Sequence, residues 1–404
     1  MFTTDAIVIG AGHAGLAMSH CLSERGIAHI VLERGRVAQR WRSARWDSFQ
    51  LLTPNWLSRL PGWTYTGDDP DGFMSGSAFV EHLVDYARAS GAPVREHTTV
   101  TGVRVSGPGY LVDTDAGTWR ARCVVIATGY HTRASVPDSA AQLSPGITQL
   151  GASGYRNPAQ VHDGPVLVVG ASSTGVQLAD ELAQSGREVT LAVGEHTRVP
   201  RRYRDRDILW WLDRVGSLDR TIDALPDLDR ARREPSFQLA AGRSLDLGVL
   251  RKHGVRLAGR LVSIHSGRAE FADDLGQTSA RAEVRLRRVL STIDTHLHAA
   301  HQTNEVPPIA IPPGPRYMTG FRTVLWATGF RPAYPWLRVP VLDRTGGLRH
   351  HRGITEAPGL YAIGLRFQYR RNATFVDGAR HDAAYLTEQI AARLAATVHI
   401  GVRA

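Results

Sequence analysis

The sequence predicts an α/β protein made of two strand-helix-strand nucleotide-binding units, the second inserted into the first. A short apolar strand, a glycine-rich turn, a helix and a second strand follow one another near the N-terminus, and the same order returns after Pro165. Each copy is followed later by an apolar run ending in Ala-Thr-Gly, at Cys123 to Gly129 and again at Val324 to Phe330. A unit of about thirty residues whose helix opens on a glycine-rich turn is the Rossmann-type arrangement.

In order, Ala6 to Ile9 reads as a strand, Gly10 to Gly15 as the turn, and His13 to Arg25 as a helix stopped by Gly26. Ala28 to Leu32 is the second strand, closed by Glu33. In the second copy Pro165 to Gly170 and Glu188 to Val193 are strands, flanking a helix from Gly175 to Ser185. From about Pro200 to Met318 this regularity is lost: the stretch holds Trp210-Trp211, charged helical segments, a hairpin-like run from Gly254 to Phe271 and a proline-rich piece. It is expected to complete the second unit and wall a substrate site, Trp210, Trp211 and Trp326 serving either that wall or the core. A strand at Leu360 to Gly364 and a helix from Gly378 to Thr397 return to the first unit. The expected domains are therefore 1–150 with 317–404, and 151–316, whose segment from about 200 walls the substrate.

The chain has 404 residues, 43% hydrophobic and 21% charged, enough to bury a sizeable core and unlike a disordered polymer. Its formal charge of +10 raises nucleic-acid binding, but all basic residues except Lys252 are arginine and they are spread along the chain. The densest group, Arg198 to Arg206, is interleaved with Asp205 and Asp207 just after the second nucleotide motif, which suits a local phosphate site better than a nucleic-acid face. Cys21 and Cys123 fall on a helix and a strand, giving neither a disulfide framework nor a CxxC pair, so a reducing cytoplasm is expected. The apolar N-terminus lacks the basic start of a signal peptide, and no run reaches the roughly 20 apolar residues of a membrane span. His296, His298 and His301 have no carboxylate or cysteine framework around them, and no metal is expected.

Gly10, Gly12 and Gly15 form GxGxxG, with His13 and Ala14 between the last two, in the strand-to-helix setting that the fingerprint requires. Gly10 permits the turn, Gly12 lets backbone approach a pyrophosphate at the helix N-terminus, and Gly15 lets helix pack on strand. Glu33, 18 residues beyond Gly15, would accept hydrogen bonds from ribose hydroxyls and repel a 2′-phosphate, so this site suits FAD or NAD. The second turn, Gly170, Ala171, Ser172, Ser173, Thr174 and Gly175, has serine in the middle glycine's place, and its hydroxyl can donate to a phosphate oxygen. Arg198, beyond the following strand, suits a 2′-phosphate and hence NADPH, while Glu195 argues for NADH.

These motifs give the chain a resemblance to the class B flavoprotein monooxygenases, the flavin-containing monooxygenase type of two-dinucleotide flavoprotein. It rests on GAGHAGL with Glu33, the segment Gly35 to Gly62, both Ala-Thr-Gly strands, VLVVGASSTGVQLADEL and the closing GLYAIG, and covers most of the chain outside Pro200 to Met318. The resemblance implies that Gly10, Gly12, His13, Ala14, Gly15, Glu33 and Arg34 hold the FAD adenosine and pyrophosphate. Trp41 and Arg42 would lie along the flavin, with Thr128, Gly129 and Gly364 closing its domain. Gly170, Ser172, Ser173, Thr174, Gly175 and Arg198 would hold NADPH. Asn55 would stand beside the flavin as a hydrogen-bonding catalytic residue with Arg42, unless it is only a turn asparagine after Pro54. The chain departs from the family at Gly151, four residues before Tyr155, where the fingerprint places a histidine. By the resemblance, NADPH reduces FAD, the reduced flavin forms a C4a-(hydro)peroxide with O2, and a small organic substrate is oxygenated at N or S. Baeyer-Villiger or decarboxylating oxygenation of a carbonyl or keto acid is the alternative, followed by an NAD(P)H-dependent reductase and a dinucleotide sensor.

Overall fold

A computed structural model of the protein describes residues 1–298 and 306–401. The first unit is β1 (Phe2–Ile9), α1 (His13–Glu24) and β2 (His29–Leu32). After α2 (Gln39–Ser43) and α3 (Gly76–Ala89), the short β3 (Val94–Arg95) extends the sheet beyond β2. A meander of β4 (Val100–Ser106), β5 (Gly109–Thr114) and β6 (Gly117–Ile126) then returns the chain to the other side of β1. Ile9 pairs in parallel with Leu32 on one flank and with Ile126 on the other.

The segment β7 (Arg133–Ala134) leads into a second, five-stranded sheet. It contains β8 (Thr148–Gly151), β9 (Val166–Val169) with its helix α4 (Ser173–Gln184), β10 (Val189–Ala192), β11 (Arg256–Ala258) and, after α5 (Leu275–His296), β12 (Thr323–Trp326). The order is β11-β10-β9-β12-β8, with every pair parallel. Val169 pairs with Ala192 and with Trp326, repeating the register of Ile9 in the first unit.

The expected boundary near 316 is corrected by this register. Strand β12 lies between β8 and β9 with Val324 and Leu325 fully buried, so the second sheet keeps the chain through Trp326. β13 (Phe330–Arg331) next pairs antiparallel with β7, joining the segments that leave the two Ala-Thr-Gly turns. The first sheet is completed by β14 (His350–His351), β15 (Ile354–Thr355) and β16 (Leu360–Ala362), the last parallel to β6, and α6 (Gly378–Gly401) packs beside α1.

Between β10 and β12 the chain builds its own apolar cluster. Leu286, Leu290 and Ile293 of α5 meet Tyr203, Ile208 and Trp211, all buried. Trp211 donates to the Tyr203 carbonyl at 2.7 Å and Trp326 to Gln149 Oε1 at 3.1 Å, so these two tryptophans belong to the core, not to a substrate wall. Among the described residues no helix is long and apolar enough to cross a membrane.

Helix-to-strand approach is closest at Gly15 and Gly175. A Cβ on Gly15 would fall inside van der Waals contact with the Gly10 carbonyl oxygen and 3.3 Å from Ala127 Cβ; on Gly175 it would meet the Gly170 carbonyl and Ala327 Cβ in the same way. Backbone has to yield to accommodate it, so Gly15→Ala or Gly175→Ala is expected to cost about 2 kcal/mol. Urea unfolding measures this directly, and an unshifted midpoint would mean that the helix start slides aside freely.

Candidate active site

At the first turn Gly10 has φ +109, and a Cβ there would lie 2.8 Å from the Ala127 carbonyl oxygen. Gly12, with an ordinary φ of −82, faces open space where a Cβ would meet nothing within 4 Å. Glycine is therefore needed at Gly10 for conformation, and at Gly12 to leave room beside the N-terminus of α1. Glu33 is buried and accepts from the backbone N–H of Ala11 at 2.8 Å and of Gly35 at 3.0 Å, which aims its carboxylate at the turn. Arg34 is exposed. Gly364, at φ +80, comes so close to α1 that its Cβ would stand 3.1 Å from Ala14 Cβ, bringing the closing GLYAIG onto the turn. Two buried polar atoms here, His13 Nε2 and Thr128 Oγ1, have no hydrogen-bond partner. An open cradle, a helix N-terminus, an oriented carboxylate and two orphaned polar atoms fit a dinucleotide such as FAD.

Aromatic rings and guanidiniums wall the space between the two units. Trp41 packs edge-on to Phe79 at 4.7 Å, and Arg45 lies over Trp41 at 4.6 Å and Phe49 at 5.2 Å. Arg42, expected along the flavin, is instead exposed, with Nε turned back on the Val37 carbonyl at 3.0 Å; the guanidinium over Trp41 comes from Arg45, just beyond the end of α2. Immediately after the first Ala-Thr-Gly, Tyr130 stacks on His131 at 3.8 Å, and His131 meets Phe330, which follows the second Ala-Thr-Gly, at 4.9 Å. Arg40 lies 6.0 Å from the same phenylalanine ring. Burial, then the charge of Arg45, lowers His13 to about 4; burial, then Arg45, Arg40, Arg366 and His13, lowers His131 to about 3. Burial and the neighbouring Arg40 bring Arg45 down to about 10, so it stays charged at neutral pH while both imidazoles are neutral.

Asn55 is buried, and both ends of its carboxamide are engaged: Nδ2 donates to the Asp69 carbonyl at 2.9 Å and Oδ1 accepts from Met74 N–H at 2.8 Å. It pins the 69–74 loop, the turn role given above as the alternative for this residue.

The second turn repeats the first. Gly170 has φ +107, with its Cβ position 2.5 Å from the Ala327 carbonyl oxygen. Ser172 caps α4 in extended conformation with no side-chain cap bond, leaving its hydroxyl available, and Ser173 and Thr174 follow in the first turn of the helix. Arg198 is a further correction. It is buried and held by Asp246 at 3.1 Å, Glu283 at 2.8 Å and the Pro307 carbonyl at 3.0 Å, so it braces the inserted segment rather than meeting a nucleotide. Val193 stands 18 residues after Gly175, where Glu33 stands after Gly15, and no carboxylate occupies that point. Glu195 is bonded by Arg281 and Arg285 at 2.7 Å each. Although burial works against it, these bonds and charges hold Glu195 below the usual carboxylate range. Two cations against one carboxylate leave positive charge at this strand end, from residues 86 and 90 positions further along that no local motif connects to it.

Across the cleft, Glu181 of α4 accepts from Tyr155 at 2.9 Å and from Ser48 at 2.6 Å. Arg156 donates to the carbonyls of Ser43 and Arg45 and accepts at its own carbonyl from Asp47 N–H at 2.8 Å. His296 and His298 are exposed at the end of α5, and His301 lies outside the described residues.

Residues 7–212 match the pyridine nucleotide-disulphide oxidoreductase family. The chain is 32% identical to an uncharacterized oxidoreductase, CzcO-like, of Geobacillus kaustophilus, over 96% of this chain and 98% of that protein. It is 26% identical to the indole-3-pyruvate monooxygenase YUCCA1 of Oryza sativa subsp. japonica, over 89% of this chain and 86% of the relative. A flavin-containing monooxygenase from Stenotrophomonas maltophilia has the same fold, with TM-score 0.70 at 19% identity over 97% of this chain and 99% of its own.

Two outcomes are expected. Gly12→Val places its Cβ in the open cradle, where it meets no protein atom within 4 Å, so the variant should fold yet purify without FAD; a yellow, flavin-loaded variant would move the pyrophosphate elsewhere. Folding also keeps His13 and His131 neutral below the roughly 6.5 at which they protonate when unfolded. Their stability contribution is complete above that pH and lost as pH falls from about 6.5 toward about 4, by about 1 kcal/mol per pH unit for each. Urea midpoints at neutral and mildly acidic pH should separate less for His131→Phe than for wild type, and equal separations would show that His131 protonates freely in the fold.

Proposed function

Given that the chain belongs to the pyridine nucleotide-disulphide oxidoreductase family, we propose that it is a FAD-dependent monooxygenase that consumes NADPH and O2 and oxygenates a small organic substrate at N or S. The observation that carries the flavin assignment is the pair of orphaned atoms, His13 Nε2 and Thr128 Oγ1, beside the open cradle at Gly12. The chemistry supplied by the bound cofactors is hydride transfer and activation of O2, one oxygen atom entering the substrate and the other leaving as water.

The protein's own part is to bind, orient and exclude water. Glu33 holds the adenosine ribose, and the N-termini of α1 and α4 hold the two pyrophosphates. Trp41, Arg45, Tyr130, His131 and Phe330 close the cleft between the units, and aromatic and guanidinium faces leave little room for the water that would discharge activated oxygen. At neutral pH His13 Nε2 and the His131 ring are uncharged, which suits a neutral amine or thioether, the form whose lone pair is free to be oxygenated. Oxygenation of a carbonyl or keto acid is the second reading, because the charged Arg40 and Arg45 stabilise negative charge in the cleft and an anionic oxygen attacks carbonyls. The relation to the indole-3-pyruvate monooxygenase supports the same reading.

NADPH is favoured over NADH by Val193 in place of a carboxylate and by the positive balance of Arg281 and Arg285 around Glu195.

Turnover under 18O2 with an alkyl aryl sulfide, a tertiary amine and a cyclic ketone should give labelled sulfoxide or N-oxide with one NADPH consumed per product. A labelled lactone alone would select the second reading, and NADPH oxidation with no labelled product would point to a reductase. Arg281→Gln with Arg285→Gln is expected to raise KM for NADPH about tenfold while leaving KM for NADH near its wild-type value. Equal effects on both would remove the 2′-phosphate from this strand end.

A further inference from the structure

A pocket of about 650 Å³ opens on the first unit, away from the glycine-rich turn. It reaches α1 at Cys21, eight residues and therefore about 12 Å along the helix from His13. Its charged lining consists of Arg59, Arg352, Arg370 and Arg380, and among the described residues that line it there is no carboxylate. Trp63 and Tyr385 supply aromatic walls, and Thr64 stands exposed at the rim.

The acids behind this lining fall short of the cations in it. Asp377 is shared between Arg59 at 2.6 Å and Arg380 at 2.9 Å. Asp213 lies 3.4 Å from Arg59, and Asp219 reaches Arg370 only at 3.8 Å. Asp382 is buried, and burial pushes its carboxyl up to about 7 against the pull of Arg370 and Arg352, so it carries only part of a charge near neutrality. Arg352 has no carboxylate partner among the described residues; its guanidinium lies over Tyr369 at 3.6 Å and Tyr385 at 4.0 Å. Rings on the faces of a guanidinium leave its N–H edge for a planar acceptor, the geometry that binds carboxylates in bidentate fashion. Buried Trp63 Nε1 and His381 Nε2 also lack hydrogen-bond partners. Uncompensated arginine beside aromatic walls suits a ligand that is anionic at one end and aromatic at the other.

We propose that this pocket is a binding site for a small aromatic carboxylate, separate from both nucleotide turns, with the carboxylate on Arg352 and Arg370 and the ring between Trp63 and Tyr385. Calorimetric titration of the FAD-loaded full chain with 2-naphthoate and with its uncharged analogue 2-naphthamide tests it. The site requires one naphthoate per chain, naphthamide binding at least about tenfold weaker, and no displacement of naphthoate by saturating NADP+. Arg352→Gln should weaken naphthoate about tenfold or more, and Thr64→Glu, an exposed rim change that leaves the core untouched, should weaken it by like-charge repulsion. No detectable naphthoate binding, equal affinity for the two probes, displacement by NADP+, or affinity unchanged in both variants would each overturn the proposal.

Discussion

The approach of the Ala127 carbonyl to Gly10, and of the Ala327 carbonyl to Gly170, sets where everything else in the two units can lie. In each case a parallel strand ending in Ala-Thr-Gly runs beside the first strand of the nucleotide unit, and its alanine sits under the start of the helix. Any side chain on Gly15 or Gly175 would force the helix off the strand, and with it the free N–H groups at the helix start. Because the constraint is steric it acts identically in both units. Close packing fixes the helix N-terminus, the place where the proposed function puts a phosphate.

Each Ala-Thr-Gly also fixes the direction in which the chain leaves its sheet. The two exits pair as β7 and β13, so Tyr130 and His131 from one unit meet Phe330 from the other. A cleft between two separately folded sheets would ordinarily be wet and mobile. Here the ribbon, the Tyr155-Glu181-Ser48 bridge and the Arg156 contacts with Ser43, Arg45 and Asp47 hold it from two sides. Arg156 binds the carbonyl of Arg45, the residue whose guanidinium covers Trp41, so the tie between units also orients the cleft wall.

The fold was legible because its signals are local. Glycine spacing, apolar strands and the repeated Ala-Thr-Gly all lie within short windows, and the strand and helix positions track them closely. The end of the second unit was not, because β12 looks alike whether it returns to the first sheet or stays in the second; only its pairing with β8 and β9 decides. At the site, Gly10, Gly12, Gly15 and Glu33 read directly from the fingerprint, whereas side chains that depend on tertiary partners did not. Arg198 looked free in sequence and is bound by Asp246 and Glu283, each distant in the chain. Asn55 read equally as a hydrogen-bonding residue beside the flavin or as a turn asparagine, and its bonds close a loop. Arg42 lies in the last turn of α2 and faces out, whereas Arg45 lies past the helix end and folds back over Trp41, a difference the RWRSAR stretch does not show.

The cleft's electrostatics come from using arginine where other side chains would titrate. Stacking on Trp41 and Phe49 lets Arg45 keep its charge in an enclosed space, since a guanidinium is weakly hydrated and loses less than an ammonium on leaving water. That retained charge, added to burial, keeps His13 and His131 neutral. A neutral imidazole offers one donor and one acceptor, whereas an imidazolium offers donors alone. His13 Nε2 can therefore adopt whichever role the group beside it demands, without a charge that would have to be desolvated. The site thus separates its tasks: fixed positive charge resides on stacked arginines, and adaptable hydrogen bonding on imidazoles that those arginines hold uncharged.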